Sequence, residues 1–203
     1  MMEIGAVLLA AGASQRFGAD NKLLANIGGK PLIRWVAEEI VGSGTEVIVV
    51  TGCDHLLIEE ALKDLPLRFA HNLNWRRGMG SSIAAGVTAL DSEVRGAFIV
   101  PGDMPFLRYA LLQDLMAIFV ENGGASIIYP TTRAGEQRNP VLWPRRFFPL
   151  LASLNGTEGA KHSLAASKDS QKPVPVVAEG AFADIDFLAD LETARSRWKT
   201  VNS

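Results

Sequence analysis

Short apolar runs alternate along the chain with segments of helical period, and this alternation constrains the fold more than any other feature. Strands are predicted at five such runs: Ile4–Ala10, Glu46–Thr51, Leu67–Ala70, Gly96–Val100 and Ala125–Tyr129. Helices are predicted between them, over Pro31–Val41, from an Asp54 cap to Leu62, and over Ser81–Leu90 and Tyr109–Val120. Repeated strand–helix units with apolar strands are typical of a parallel sheet covered on both faces. The sequence therefore predicts an α/β fold.

The pattern weakens after Pro130. A polar loop is predicted over 131–139, followed by a strand over Pro140–Trp143 and a helix over Phe147–Leu154. A strand over Val174–Val177 and a helix over Leu188–Trp198 complete the assignment. Because neither an internal repeat nor a linker composition interrupts the 203 residues, we expect a single domain over 1–203.

Charge and cysteine content exclude several classes of function. A net charge of −2 offers no basic surface for nucleic acid or for an anionic membrane. The apolar segment Ile4–Ala13 has no preceding Lys or Arg and is too short to span a bilayer, so we interpret it as a strand and expect a cytoplasmic protein. Cys53 is the single cysteine, and His55, His71 and His162 are scattered without a motif. We therefore expect no disulfide and no Cys/His zinc site, and structural or solvated histidines.

The loop after the first strand carries the strongest functional signal. It contains a run of small residues through which a backbone can approach a ligand closely: Ala10, Ala11, Gly12, Ala13 and Ser14. Backbone N–H groups gathered in such a loop favour anions, and Arg16 and Lys22 add two cations to it. Neither the Walker spacing nor the dinucleotide fingerprint is present. The alternative is an ordinary surface turn in which both cations are solvated.

A second loop places a carboxylate after another strand. Asp103 lies between Pro101 and Pro105, which restrict the backbone around it. In a parallel sheet this loop and the cationic loop meet at one edge, so we expect Lys22 and Asp103 to lie close together. A carboxylate beside a phosphate site is a plausible Mg²⁺ ligand. The alternative is an Asx-type turn.

A third loop, Gly78–Ser82, opens a predicted helix with two glycines and two serines. Ser81 or Ser82 is suited to capping that helix. A glycine-rich helix start at the same edge of the sheet could equally contact a ribose or a base, with Gly80 allowing close approach. The sequence leaves both interpretations open.

Together these motifs resemble the MobA-like NTP transferase superfamily, and within it the molybdenum cofactor cytidylyltransferases. The segments that carry the resemblance are Leu9–Gly18, Asn21–Leu24, Gly28–Leu32, Gly78–Ser82, Gly102–Pro105, Asn139–Trp143, Arg145–Phe148 and Asp184–Asp186. The resemblance implies a Rossmann-like, doubly wound, mainly parallel sheet with helices on both faces. It also implies a Mg²⁺-dependent reaction in which an acceptor phosphate attacks the α-phosphorus of an NTP and pyrophosphate leaves.

The resemblance assigns roles to residues that match the motifs. The Ala10–Ser14 backbone with Arg16 and Lys22 would hold the triphosphate, and Arg16, Lys22 and Asp103 would form the catalytic set. Asp103 would bind the metal with Asp186 as the second carboxylate, and we expect only one of Asp184 and Asp186 to face it. Nucleoside contacts are implied for Asn72, Gly80, Ser81 and Ser82.

The resemblance favours CTP as donor and molybdopterin as the phosphorylated acceptor. Departures at Arg138–Pro140 and Gly156–Lys161 fall where the acceptor would bind, so another phosphorylated acceptor, such as a sugar phosphate or an alcohol phosphate, stays an alternative. GTP in place of CTP is a separate alternative. A non-catalytic chaperone that delivers cofactor to a molybdenum hydroxylase is a further alternative. A nicotinamide-dependent oxidoreductase is disfavoured because the dinucleotide fingerprint is missing.

Overall fold

The computed structural model describes residues 3–14, 17, 21–157, 159–177 and 179–201. Its strands are β1 (Ile4–Ala10), β2 (Asn26–Ile27), β3 (Lys30–Pro31), β4 (Glu46–Thr51), β5 (Arg68–His71), β6 (Gly96–Pro101), β7 (Ile127–Thr131), β8 (Val141–Pro144) and β9 (Gln171–Pro175). Its α-helices are α1 (Leu32–Gly42), α2 (His55–Leu62), α3 (Met79–Thr88), α4 (Tyr109–Glu121), α5 (Phe148–Ala152), α6 (Lys161–Ala166) and α7 (Leu188–Val201). Among the described residues, no helix combines the length and the apolar character needed to cross a membrane.

Seven strands form one twisted sheet in the order β5-β4-β1-β6-β8-β7-β9. The pairs β5–β4, β4–β1, β1–β6 and β7–β9 are parallel, and β8 alone runs antiparallel to both of its neighbours. The chain moves outward from β1 through β4 to β5 and then returns to the other side of β1 at β6. The direction of winding therefore reverses between β1 and β6, the place where open α/β sheets bind ligands.

Alternating side chains of the central strands supply two apolar layers, one on each face of the sheet. On one face, Ala6 and Leu8 of β1 pack in a core shared with helices α1, α2, α4 and α7. On the other face, Val7 of β1 packs with α3, α5 and α6. The expected mainly parallel sheet with helices on both faces is confirmed.

Close contact between α3 and the sheet depends on a glycine. A Cβ on Gly86 would lie 2.2 Å from Cγ1 of Val7 and 2.8 Å from Cγ2 of Val50. The absence of a side chain at Gly86 lets the helix backbone approach the strands directly, and this fixes where the first turn of α3 lies at the sheet edge.

Several predicted boundaries shift, and two local predictions are wrong. Ser81 and Ser82 do not cap a helix, because α3 begins two residues earlier, at Met79, and Gly78 occupies the N-cap position. Asp54 precedes α2 as expected, but it has a left-handed backbone and makes no side-chain cap hydrogen bond. The late strand predicted over Val174–Val177 is observed at Gln171–Pro175.

Candidate active site

The candidate site lies at the carboxyl ends of β1 and β6, where the winding reverses. The segment after β6 is held against β1 by a hydrogen bond from the Gly102 N–H to the Leu9 carbonyl, at 3.0 Å. A Cβ on Gly102 would lie 2.7 Å from that same oxygen, so only glycine permits this approach. Asp103, which follows directly, is thereby placed beside the loop that leaves β1.

Asn21 holds the far end of the loop that follows β1. Its Oδ1 accepts hydrogen bonds from the Ser14 Oγ at 3.2 Å and from the Leu23 N–H at 3.1 Å, and its Nδ2 donates to Asp54. Ser14 has a positive φ of 51°, which turns the chain within this loop. No backbone hydrogen bond among the described residues uses the N–H of Gly12 or Ala13. Backbone donors of this kind, gathered in a loop of small residues, suit an anion.

Lys22 joins the carboxylates of two distant segments. Its Nζ lies 2.6 Å from Asp103 Oδ2, 3.0 Å from Asp186 Oδ1 and 2.6 Å from the carbonyl oxygen of Ile185. The expectation that Lys22 and Asp103 lie close together is therefore confirmed. The N–H of Ile185 also donates to the carbonyl of Asp103, which ties the segment before α7 to the loop after β6.

Burial and charge compete at this cluster. Burial alone would lower the pKa of Lys22, but the charges of Asp103 and Asp186 and their hydrogen bonds outweigh it and raise that pKa above its ordinary value. Burial raises the pKa of the Asp103 carboxyl, and the ion pair with Lys22 offsets this only in part. The negative charge of Asp184 raises the pKa of Asp103 further. Desolvation and a neighbouring carboxylate therefore act on Asp103 against the stabilising charge of Lys22.

The second oxygen of Asp103 fits a metal ligand. Asp103 Oδ1 is buried and has no hydrogen-bond partner among the described residues. A buried carboxylate oxygen without a donor is costly unless a cation binds it. Asp186 supplies a second carboxylate in the same cluster. Oxygen donors of this kind suit Mg²⁺ or Mn²⁺.

Two cavities open on either side of these carboxylates. The first, of about 700 Å³, is bordered by the loop after β1, and its lining includes Ala11, Gly12, Ala13, Ser14, Lys22, Trp75, Arg76, Gly78, Ser82, Asp103, Thr157 and Asp186. The second, of about 520 Å³, is lined by Met104, Gln137, Arg138, Asn139, Trp143, Thr157, Lys161, Asp184 and Asp186, among others, and also by Asp103. Asp103 and Asp186 therefore stand at the boundary between the two cavities.

Four of the predicted nucleotide contacts are not part of the first cavity's lining. Ala10 is fully buried in β1. Asn72 is also buried, and its Nδ2 donates to the Oγ of Ser81 at 2.9 Å and of Ser82 at 3.1 Å. Asn72 thus positions the first turn of α3, and of the two serines only Ser82 reaches the cavity. The Gly80 N–H donates to the carbonyl of Gly156, so this glycine packs against a neighbouring loop.

Arg16, predicted as a cation of the same loop, lies outside the described residues. Asp184 and Asp186 both line the second cavity, whereas of the two only Asp186 also lines the first cavity and bonds to Lys22. That only one of them faces the metal stays a prediction.

Among the lining residues, sequence reasoning missed Arg76, whereas Thr157 lies within Gly156–Lys161, the stretch expected at the acceptor. Trp75 and Arg76 border the first cavity, and the Arg76 guanidinium lies 4.5 Å from the centre of the Trp75 ring. Thr157 borders both cavities. The short 3₁₀ helix Trp75–Arg77 carries no sequence motif, so only its position between β5 and α3 could have pointed to it.

Comparison with known proteins identifies a family for most of the chain. Residues 6–173 match the family of the MobA-like NTP transferase domain. The chain is 38% identical over 160 residues to nicotine blue oxidoreductase of Paenarthrobacter nicotinovorans, covering 76% of this chain and 78% of that protein. It is 29% identical over 203 residues to a probable molybdenum cofactor guanylyltransferase of Haloferax mediterranei, covering 94% and 92%.

Another relative is much longer than this chain. The match to the bifunctional protein GlmU of Mycolicibacterium vanbaalenii is 28% identical, and it covers 66% of this chain but only 29% of that protein.

Solved structures share the fold at low sequence identity. A nucleotidyl transferase from Methanothermobacter superposes with a TM-score of 0.84 at 20% identity, covering 98% of this chain and 99% of that one. A CMP:2-keto-3-deoxy-manno-octonic acid synthetase complexed with CTP superposes with a TM-score of 0.79 at 16% identity, covering 98% and 99%. The manganese complex of a Mycobacterium tuberculosis protein gives a TM-score of 0.75 at 17% identity, covering 96% and 98%. With a family match over most of its length and this nucleotidyltransferase-like fold, the chain belongs to the MobA-like NTP transferase family.

Proposed function

We propose that this protein is a Mg²⁺-dependent nucleotidyltransferase that transfers an NMP group, with CMP from CTP favoured, to a phosphorylated acceptor, with molybdopterin favoured. One observation carries the proposal. The carboxylates of Asp103 and Asp186, bound to Lys22, lie between a cavity bordered by the small-residue loop after β1 and a second cavity bordered by cations and amides. A donor in one cavity and an acceptor in the other would meet at these carboxylates.

In the proposed reaction, an oxygen of the acceptor phosphate attacks the α-phosphorus of the NTP and forms a new P–O bond. The bond from that phosphorus to the bridging oxygen breaks, and pyrophosphate leaves with the electron pair. Transfer at phosphorus requires positioning and neutralisation of charge more than a nucleophilic side chain. The Gly12 and Ala13 N–H groups and the Lys22 ammonium are suited to the phosphate oxygens.

Mg²⁺ held by Asp103 and Asp186 would neutralise the charge that develops on the transferring and leaving oxygens. Lys22 would then exchange its carboxylate partners in part for phosphate oxygens. Arg16 stays a predicted phosphate ligand from the sequence. Asn72 and Ser81 are proposed as positioning residues, acting through Ser82.

The acceptor preference is supported by the lining of the second cavity. Arg138 and Lys161 supply positive charge, which suits a phosphorylated molecule. Gln137 and Asn139 add amides that can pair with a heterocycle. These are the segments in which the sequence departs from the cytidylyltransferase pattern, so the acceptor requires a direct test.

Pyrophosphate release from each of the four NTPs tests the proposal, with molybdopterin, its molybdenum-loaded form or a sugar phosphate as acceptor. Turnover that needs both an acceptor and Mg²⁺ is expected, fastest with CTP. Asp103→Asn should abolish it, whereas Asp114→Asn, an exposed carboxylate on α4, serves as the matched control. Faster turnover with GTP would refute the CTP preference, and no release with any pair would refute the transferase.

A second candidate function comes from the 38% identical relative, which is named an oxidoreductase. If this chain reduces a substrate with a nicotinamide cofactor, absorbance at the reduced-cofactor band will fall in the presence of an acceptor dye. Under the transferase proposal no such oxidation occurs, and each NTP that binds the native state raises the Tm in the presence of Mg²⁺.

A further inference from the structure

The structure brings two histidines and a glutamate together outside both cavities. His55 and Glu59 lie one turn apart on α2, and His71 ends β5. One ligand atom from each of the three side chains can be chosen so that all lie within 4.8 Å of one another. We propose that His55, Glu59 and His71 form a binding site for a divalent transition metal of the zinc class, separate from the site at Asp103.

The spacing on α2 places two ligands on one face of the helix. Residues four apart on a helix are neighbours, and here His55 Nδ1 lies 3.5 Å from Glu59 Oε1. Two ligands of a tetrahedral zinc ion lie roughly 3.3 Å apart, given metal–ligand distances of about 2.0–2.1 Å. This pair therefore already has nearly the separation that a bound ion requires.

The third ligand comes from the adjacent strand. The ring of His71 contacts the ring of His55, with centroids 4.1 Å apart and planes at 65°. His71 pairs in register with Thr51 of β4, and the Oγ1 of Thr51 donates to Glu59 Oε1 at 3.1 Å. A hydrogen bond of this kind orients a ligand carboxylate from outside the metal's own shell.

The ligand chemistry and the exposure both favour an exchangeable transition metal. Two imidazoles and one carboxylate suit Zn²⁺ and its neighbours, whereas Mg²⁺ prefers oxygen donors. The side chains of His55 and Glu59 are 37% and 31% exposed, so an ion can enter from solvent and keep water in its remaining positions. The sequence expectation of structural or solvated histidines did not foresee this cluster, because 16 residues separate His55 from His71.

Isothermal titration of the untagged protein with Zn²⁺, in excess Mg²⁺ to occupy oxygen-donor sites, tests the proposal. We expect one Zn²⁺ per chain, with binding at least about tenfold weaker in His71→Ala and in Glu59→Gln, since each removes a ligand. His162→Gln is the matched control, because it removes the one other histidine, and it should bind as the wild type does. Asp103→Asn should also leave Zn²⁺ binding unchanged.

Imidazole NMR resonances give a second, independent measurement. Zn²⁺ should shift the signals of two of the three histidines, and the His71→Ala variant should lose one of the two. Circular dichroism in the absence of metal checks that each variant is folded. We expect His71→Ala to fold, because the side chain of His71 is exposed and its removal leaves the core intact. Absence of Zn²⁺ binding in the wild type, or equal binding in wild type and folded His71→Ala, would overturn the proposal.

Discussion

Replacing Lys22 with alanine removes a cation that the structure places directly against Asp103. The ammonium lies 2.6 Å from Asp103 and 3.0 Å from Asp186, and the side chains of Lys22 and Asp103 are only 14% and 19% exposed. Breaking a fully buried ion pair costs about 3–5 kcal/mol. Because Asp186 is 44% exposed and water can enter the vacated space, we expect a loss of about 2 kcal/mol in the free energy of unfolding. For a chain of this length that loss lowers Tm by about 4–8 °C.

A double variant distinguishes the lost ion pair from lost packing. At neutral pH, Lys22→Ala leaves a buried carboxylate without its counter-charge, whereas Lys22→Ala combined with Asp103→Asn leaves two neutral groups. Thermal denaturation should therefore show the double variant to be more stable than Lys22→Ala alone. Lys63→Ala, at a fully exposed lysine, is the control and should leave Tm nearly unchanged. A double variant no more stable than Lys22→Ala would refute the reasoning.

The pH dependence of Lys22→Ala has a defined sign. Burial raises the pKa of Asp103 above its unfolded value of 3.8, so the charged carboxylate destabilises the folded state at neutral pH. Removing Lys22 raises that pKa further. The Tm difference from wild type should therefore shrink as the pH falls through the folded pKa of Asp103 towards 3.8. Because the pKa of Lys22 is raised above 10.5, the stability that the charged Lys22 contributes to the wild type is lost only above pH 10.5, which is outside this range. A Tm difference between the variant and the wild type that grows as the pH falls would contradict the view that the buried charge of Asp103 destabilises the variant.

The same variant tests the role of Lys22 in catalysis. Removing one preorganised donor to a phosphate transition state costs about 3 kcal/mol, which corresponds to a roughly hundredfold lower kcat/KM. Pyrophosphate release measures this. A decrease of less than about threefold would reject Lys22 as a phosphate ligand, whatever the effect on stability.

Three further substitutions test other parts of the structure. Asp103→Asn should abolish Mg²⁺-dependent turnover, a loss of at least about a thousandfold, while NTP still raises the Tm; unchanged turnover would reject Asp103 as a metal ligand, whereas a wild type without turnover whose binding to a partner protein is unaffected by the substitution would favour the cofactor-delivery chaperone. Asn72→Ala should cost about 1–3 kcal/mol in urea denaturation and raise KM for the NTP more than it lowers kcat, because the buried amide positions Ser82. An effect on stability with no change in KM would reject that positioning role. Gly86→Ala should destabilise by about 1–3 kcal/mol in the same assay, since its Cβ would lie 2.2 Å from Val7; an unchanged midpoint would show that α3 can shift.

Much of the fold could be predicted because its signals are local. The apolar segments at Ile4–Ala10 and Glu46–Thr51 have the same boundaries in the sequence prediction and in the structure. The late strand is displaced because its polar segment Gln171–Pro175 pairs with β7, and that pairing is visible only in three dimensions. The antiparallel insertion of β8 between β6 and β7 is likewise a long-range pairing.

The sequence alone determined where small residues and a proline-flanked carboxylate follow the predicted strands. Such residues can be identified without a structure because their effect is on the local backbone conformation. It placed the loop of small residues and Asp103 at the ends of strands, where a parallel sheet brings such loops to one edge. Only the tertiary structure decided what each side chain contacts. Lys22 forms ion pairs with carboxylates 81 and 164 residues further along the chain. The ring of His55 on α2 contacts the ring of His71 on β5. Contacts of that kind arise from the packing of whole elements, which no local pattern encodes.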